Sequence, residues 1–199
     1  MTNRPKRQSR TLTPHLHGQR AWGMGSGLAL KLRPMKRTLC LAACAALLAG
    51  CASFEPAAPA DYQGPTVNVA DQVLPVSDQL VHVFEIRRVD GRRLLSSSIA
   101  TLNANQGRGF SVKPVALSNE LPLQPTRVRL QAATQYAAPI LAMTNPTCRA
   151  QGEVDFTPEA GKAYRVTGRI AADACEAWIE DAATQQAVTT KVSGKGTGS

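Results

Sequence analysis

The dominant pattern in the chain is strand-like alternation. Leu80-Val81-His82-Val83-Phe84-Glu85-Ile86-Arg87-Arg88 is an apolar-alternating run that ends at Asp90-Gly91 and returns through Arg92-Arg93-Leu94-Leu95. Asp and Gly tolerate positive φ, so this spacing predicts a β-hairpin. Residues 126–132 alternate more cleanly: Val128, Leu130 and Ala132 fall on one face, Arg127, Arg129 and Gln131 on the other. Residues 110–117 read as a further strand. Residues 135–143 read as a strand interrupted at Pro139, as at an edge or bulge.

The C-terminal third reads as a meander of three strands, 148–156, 164–170 and 175–181, separated by Pro158-Glu159-Ala160-Gly161-Lys162 and by residues 171–174. Cys148, Ala150, Gly152, Val154 and Phe156 share a face in the first. Tyr164, Val166, Gly168 and Ile170 do so in the second, and Cys175, Ala177 and Ile179 in the third. No stretch after Cys51 keeps a 3.6-residue apolar period, and none repeats at a fixed spacing. About seven short strands with turns every 8 to 12 residues or so predict a mainly β fold, an antiparallel β-sandwich or small barrel. Aromatics are few, which leaves the core to Val, Leu, Ile and Ala.

Ahead of this domain stands a different pattern. Met35-Lys36-Arg37 precedes eleven apolar residues, 38–48, and a small-residue exit, the order of a secretory signal. A membrane-spanning helix needs roughly 20 apolar residues, so residues 35–50 predict a cleaved signal. The exit Leu48-Ala49-Gly50-Cys51 resembles the lipobox of bacterial lipoproteins. That resemblance implies cleavage before Cys51 and acyl chains on its sulfur, which together anchor the protein to a membrane. Ala52, where an aspartate would signal retention, implies sorting to the outer membrane, facing the periplasm. Residues 1–34 carry seven Lys and Arg with no acid and no apolar period. They read as an upstream extension, with translation starting at Met35, and the alternative of a nucleic-acid-binding arm conflicts with export.

Cleavage changes the charge argument. Of 23 Lys and Arg residues in the 199-residue chain, 9 precede Cys51 and 14 follow it, as do all 14 Asp and Glu. The 149 residues from Cys51 onward are therefore neutral, and the basic charge of the whole chain is no argument for nucleic acid. One domain accounts for that length. Residues 51–65 are rich in Pro and Ala and predict a lipidated tether; 66–192 is the β domain; 193–199, with three glycines, predicts a flexible tail.

Two cysteines remain, Cys148 and Cys175. In an exported chain such a pair is most simply a disulfide, worth on the order of 3 kcal/mol for a loop of this size. Strands flanking a common neighbour lie about 10 Å apart, too far for the bond. The two strands therefore lie on opposing sheets, or the bridge closes beyond the end of the strand between them. A zinc site normally takes four ligands, and the mature chain has one histidine, His82.

Little in the sequence points to catalysis. His82 is the only candidate general base and sits in phase with Leu80, Phe84 and Ile86, as a core or edge residue does. No Gly-x-Ser-x-Gly or His-Glu-x-x-His occurs after Cys51. Asn105-Gln106-Gly107-Arg108-Gly109 lacks the lysine and helix of a phosphate loop, and Glu176, Glu180 and Asp181 beside Trp178 read as a solvated face. No catalytic residue, metal or cofactor is expected. The most suggestive cluster is Arg87, Arg88, Arg92 and Arg93 around one hairpin tip, suited to phosphates, carboxylates or an acidic partner, or else blunting an exposed edge.

Phe156-Thr157-Pro158-Glu159-Ala160-Gly161-Lys162-Ala163-Tyr164-Arg165-Val166, followed by Cys175-Glu176-Ala177-Trp178-Ile179-Glu180-Asp181, resembles a pattern in small proteobacterial lipoproteins of uncharacterised function. The resemblance implies a C-terminal β domain and no activity. Three function classes follow: a non-enzymatic binding or accessory lipoprotein whose partner is another envelope protein or an anionic envelope glycan, a periplasmic inhibitor of a hydrolase such as lysozyme, and an envelope enzyme.

Overall fold

The computed structural model describes residues 53–171 and 173–197. Residues 1–34, the signal, the lipobox and Cys51 lie outside the described residues, as do positions 198–199 of the expected tail. The strands are β1 (Thr66–Ala70), β2 (Gln72–Ser77), β3 (Leu80–Val89), β4 (Arg92–Arg93), β5 (Ser118–Pro122), β6 (Thr126–Tyr136), β7 (Thr147–Phe156), β8 (Tyr164–Ile170), β9 (Ala174–Asp181) and β10 (Val192–Thr197). Two short helices, α1 (Ser97–Ala104) and α2 (Pro139–Thr144), join them.

The protein is mainly β, as the alternation predicts. Its strands form one curled, open sheet, a half-barrel, in the order β2-β3-β6-β7-β10-β9-β8-β1-β5, with β4 added on β3. β1 runs parallel to β8, and every other pairing is antiparallel. The curl lays β3, β6 and β7 over β8 and β9 and encloses the main core, to which Phe84, Ile86, Leu130, Phe156, Val166 and Ile179 belong. Each such side chain contributes roughly 1.5–3 kcal/mol by leaving water. The two halves meet closely where Gly168 has no side chain, since a Cβ there would strike the Glu176 carbonyl and the Phe84 ring.

The expected hairpin is present. Asp90 and Gly91 take φ of 46° and 84°, and Arg92 and Arg93 pair back onto Val89 and Arg88. The meander holds only in part. β8 and β9 pair along their length, but β7 pairs with β6 and β10 instead of β8. The link after Phe156 therefore crosses from one half of the curl to the other, with the Tyr164 ring edge-on to Phe156 at 5.0 Å and its hydroxyl accepting the Glu159 N–H. Cys148 on β7 and Cys175 on β9 lie on the two strands that flank β10, and where the sheet curls there their Cα atoms come to 6.0 Å and form a disulfide, closer than the flat-sheet spacing of flanking strands allows.

Three expectations are corrected. Ser193, Gly194, Lys195, Gly196 and Thr197, expected in a flexible tail, belong to β10, which pairs with β9 at Val192–Lys195 and with β7 at Gly196 and Thr197. Gly194 lies so close to β7 that a Cβ would meet the Arg149 carbonyl, so glycine serves close approach here and not flexibility. Residues 135–143 are not an interrupted strand: β6 ends at Tyr136, and Pro139, at the start of α2, opens a helix, where its missing N–H costs nothing. Residues 110–117 form no strand, for a reason given below. Within the expected tether, Ala57 is buried and the Glu55 N–H donates to the Arg93 carbonyl.

Candidate functional site

The outer face of β3 and β6 is where polar groups gather. α1 lies across it although it carries no apolar stripe: its two buried residues are Ser97 and Thr101. These two, with Asn105, recur at four-residue spacing and act as a polar seam. The Ser97 hydroxyl accepts the Leu117 N–H, Thr101 bonds both backbone groups of Val115, and Asn105 bonds both of Lys113. Helix side chains take the place of a neighbouring strand, so an extended, alternating segment never enters the sheet. That is why residues 110–117 read as a strand and are not one.

Beneath α1 lie two acids the sequence did not single out. Glu85 is fully buried on β3, and its carboxylate accepts the Ser98 N–H (2.6 Å), the Ser98 hydroxyl (2.8 Å) and the Gln131 amide (2.9 Å). It caps the start of α1 from a distance, a task Ser96 does not perform with its own side chain. Asp71 stands where the extended chain leaves β8 and joins β3. One of its oxygens accepts the Ile86 N–H (3.0 Å) and the other the Ser97 hydroxyl (2.7 Å). Burial pushes its carboxyl up to about 7, against the opposing pull of the bonds from Ser97 and Ile86. A carboxyl near neutrality suits proton transfer, yet both oxygens are engaged and the group is 5% exposed. It clasps β1–β2, β3 and α1.

The structure divides the four arginines. Arg87 sits at a break in register and turns to Glu85 (3.1 Å), Ser96 (2.6 Å) and Ser98 (3.1 Å). Arg92 donates to the Ala57 carbonyl (2.7 Å) and reaches Asp90 at 3.4 Å. Arg93 lies 5.0 Å over the Phe54 ring, and Arg88 is exposed. They do not converge on one point. His82 sits half-buried at the inner-face phase of β3, its pKa lowered by burial. Glu180 pairs with Arg165 at 2.6 Å, Asp181 is held below the usual carboxylate range by the N–H groups of Thr184 and Ala183, and Lys191 covers Trp178 at 4.3 Å. No group of three metal-ligating side chains occurs among the described residues.

Between α1 and α2, over β6, runs an open groove of about 280 Å³. Ile99, Leu102 and Ala142 supply apolar walls, Gln135 and Tyr136 the floor, and Arg87 and Arg149 its charge, with no carboxylate in the lining. Arg149 is exposed and forms no ion pair among the described residues. Gln135 donates to the Ser98 carbonyl, while its own buried Oε1 has no protein partner. Such a surface, with an apolar wall, a spare acceptor and a free guanidinium, is equipped to hold a ligand. Comparison with protein-family models, with curated proteins and with solved structures finds no match.

Proposed function

We infer that this chain is a lipid-anchored cell-envelope protein, held at the outer membrane by acyl chains on Cys51 and facing the periplasm. It acts by binding, as an accessory or assembly lipoprotein akin to the small proteobacterial lipoproteins its C-terminal pattern resembles. The groove between α1 and α2 carries the reading. Its lining has apolar walls and the unpaired guanidinium of Arg149, Arg87 being already held by Glu85, and its rim exposes Leu102, which is 58% accessible. Charge complementarity names the occupant: a segment of another envelope protein that presents an acidic side chain beside aliphatic ones. The buried disulfide supports the compartment, because oxidising surroundings form and keep such bonds.

The test places a photo-crosslinking residue at Leu102 in the native bacterium, with Val188, which is exposed outside the groove, as the control. The expected product appears at Leu102 and not at Val188, maps by mass spectrometry to an acidic, aliphatic segment of one envelope protein, and is lost with Arg149→Glu. Equal products at both positions, or one indifferent to Arg149→Glu, end the groove reading.

A further inference from the structure

Arg88 has arginines on both sides in the register. Its Cα partner on β4 is Arg93, its partner on β6 is Arg129, and Arg129 in turn faces Glu153 on β7. Three arginines therefore cross the outer face of three adjacent strands in one row. Like charges directly opposite one another destabilise a sheet, and only the far end of this row is neutralised, by the 2.8 Å pair of Arg129 with Glu153. Arg88 and Arg93 form no ion pair among the described residues. Asp90, the acid nearest in sequence, is engaged by Arg92 and by the Arg127 N–H.

The unneutralised end of the row lies where the chain departs toward its N-terminus. Glu55 donates its N–H to the Arg93 carbonyl, and the Arg93 guanidinium covers Phe54. Phe54 is three residues from Cys51, so even a fully extended chain separates their Cα atoms by no more than about 11 Å. That upper limit is little more than the Debye length of about 8 Å at physiological salt. An anchor at Cys51 thus holds Arg88 and Arg93 inside the electrostatic field of the membrane surface. We propose that the row Arg93, Arg88 and Arg129 is a membrane contact that seats the domain on the anionic phospholipid headgroups of the bilayer holding its acyl chains. The proposal rests on the lipoprotein reading for its geometry and adds a second, electrostatic attachment. It fixes which side of the domain faces the bilayer. It also gives the paired arginines the anions that their own sheet withholds.

The test uses the chain from residue 51 with Cys51→Ser. That unit is compact on its own, and its core lies wholly between Ala57 and Val192. Cosedimentation is measured with vesicles of phosphatidylglycerol and phosphatidylcholine in equal parts and with vesicles of phosphatidylcholine alone. Binding is expected only to the anionic vesicles, falling with added salt. R88S/R93S should weaken it by roughly fivefold per arginine, or roughly 25-fold together. R169S/K195S removes the same charge from β8 and β10 and should leave it unchanged. Melting curves of each variant confirm the fold.

Equal binding by wild type and R88S/R93S overturns the proposal, as does equal binding to both vesicle types or to neither. Binding to soluble lipopolysaccharide without binding to vesicles overturns it in favour of a glycan. The mass of the chain extracted from native membranes separates this from the anchor itself. Unmodified Cys51 with arginine-dependent vesicle binding loses the anchor and keeps the contact, whereas acylated Cys51 without vesicle binding does the reverse.

Discussion

Where α1 crosses them, the two faces of β3 and β6 are both buried, by opposite means. On the inner face Phe84, Ile86, Leu130 and Ala132 meet the apolar side chains of the facing strands, and burial is hydrophobic transfer. On the outer face Glu85, Gln131, Ser96, Ser97 and Thr101 are as thoroughly buried, and each of these polar side chains has hydrogen-bond partners. Apolar packing on that side is limited to a small cluster of Val81, Val83 and Val112. The inner face tolerates approximate neighbours, because dispersion is non-directional. The outer face does not, because an unsatisfied buried donor or acceptor costs about 1–3 kcal/mol.

Adjacent residues test that contrast most severely. Phe84→Ala should lower stability by about 3–5 kcal/mol through the cavity it leaves, and Glu85→Ala by a similar amount, because Arg87, the Ser98 N–H and Gln131 all lose their acceptor. Denaturant titration of the two variants measures both. A cost under about 1 kcal/mol for Glu85→Ala would reduce the outer layer to an ordinary wet surface. Next in size is Cys148→Ser, expected to cost on the order of 3 kcal/mol and to lower Tm by several degrees. An unchanged Tm would mean the facing halves hold together without the bridge.

The pH dependence probes the outer layer alone. The folded chain keeps a proton on Asp71 up to pH about 7, while the unfolded chain releases it near 3.8. Between those values the folded state binds more protons, so this group favours folding as pH falls and the gain is lost as pH rises through 7. From pH 8 to pH 5 the wild type should gain about 2–3 kcal/mol relative to Asp71→Asn, at roughly 1.4 kcal/mol per unit below pH 7. Parallel pH profiles for the two proteins would show that the clasp does not titrate. The smallest effect is expected on the same face just beyond α1, where Arg129→Ser, removing a half-exposed pair with Glu153, should change stability by about 0–1 kcal/mol.

The same contrast explains what was legible in the sequence. Period-two alternation reported the inner face well, and β3, β6, β7, β8 and β9 all follow it. α1 escaped because its buried residues are Ser97 and Thr101, and an apolar-period search is blind to a polar stripe. Ser97, Thr101 and Asn105 at four-residue spacing, followed by an extended segment with no partner strand, were the available signal. Glu85 looked like an ordinary alternation partner, since nothing local tells a wet outward carboxylate from one covered by a helix more than ten residues away, and Asp71 fell in a stretch where no strand was expected. Composition misled at β10, where glycines that permit close approach look like those of a linker. The arginines were noticed as a cluster, but their division between helix, N-terminal segment and sheet row depends on the register break near Arg87.

β10 also imposes an order in time. β3, β6 and β7 are neighbours in the sheet and can zip together as they emerge, whereas β9 and β7 share an edge only through β10. A chain delivered from its N-terminus, as in synthesis or export, can therefore pair the strands of each half early, whereas the join between β7 and β9 waits until Thr197 has passed. Contacts between segments so distant in sequence form slowly. During that interval the edges of β7 and β9 stand unpaired and exposed to any other strand nearby. The six residues of β10 thus decide both when folding finishes and how long the unfinished chain is vulnerable.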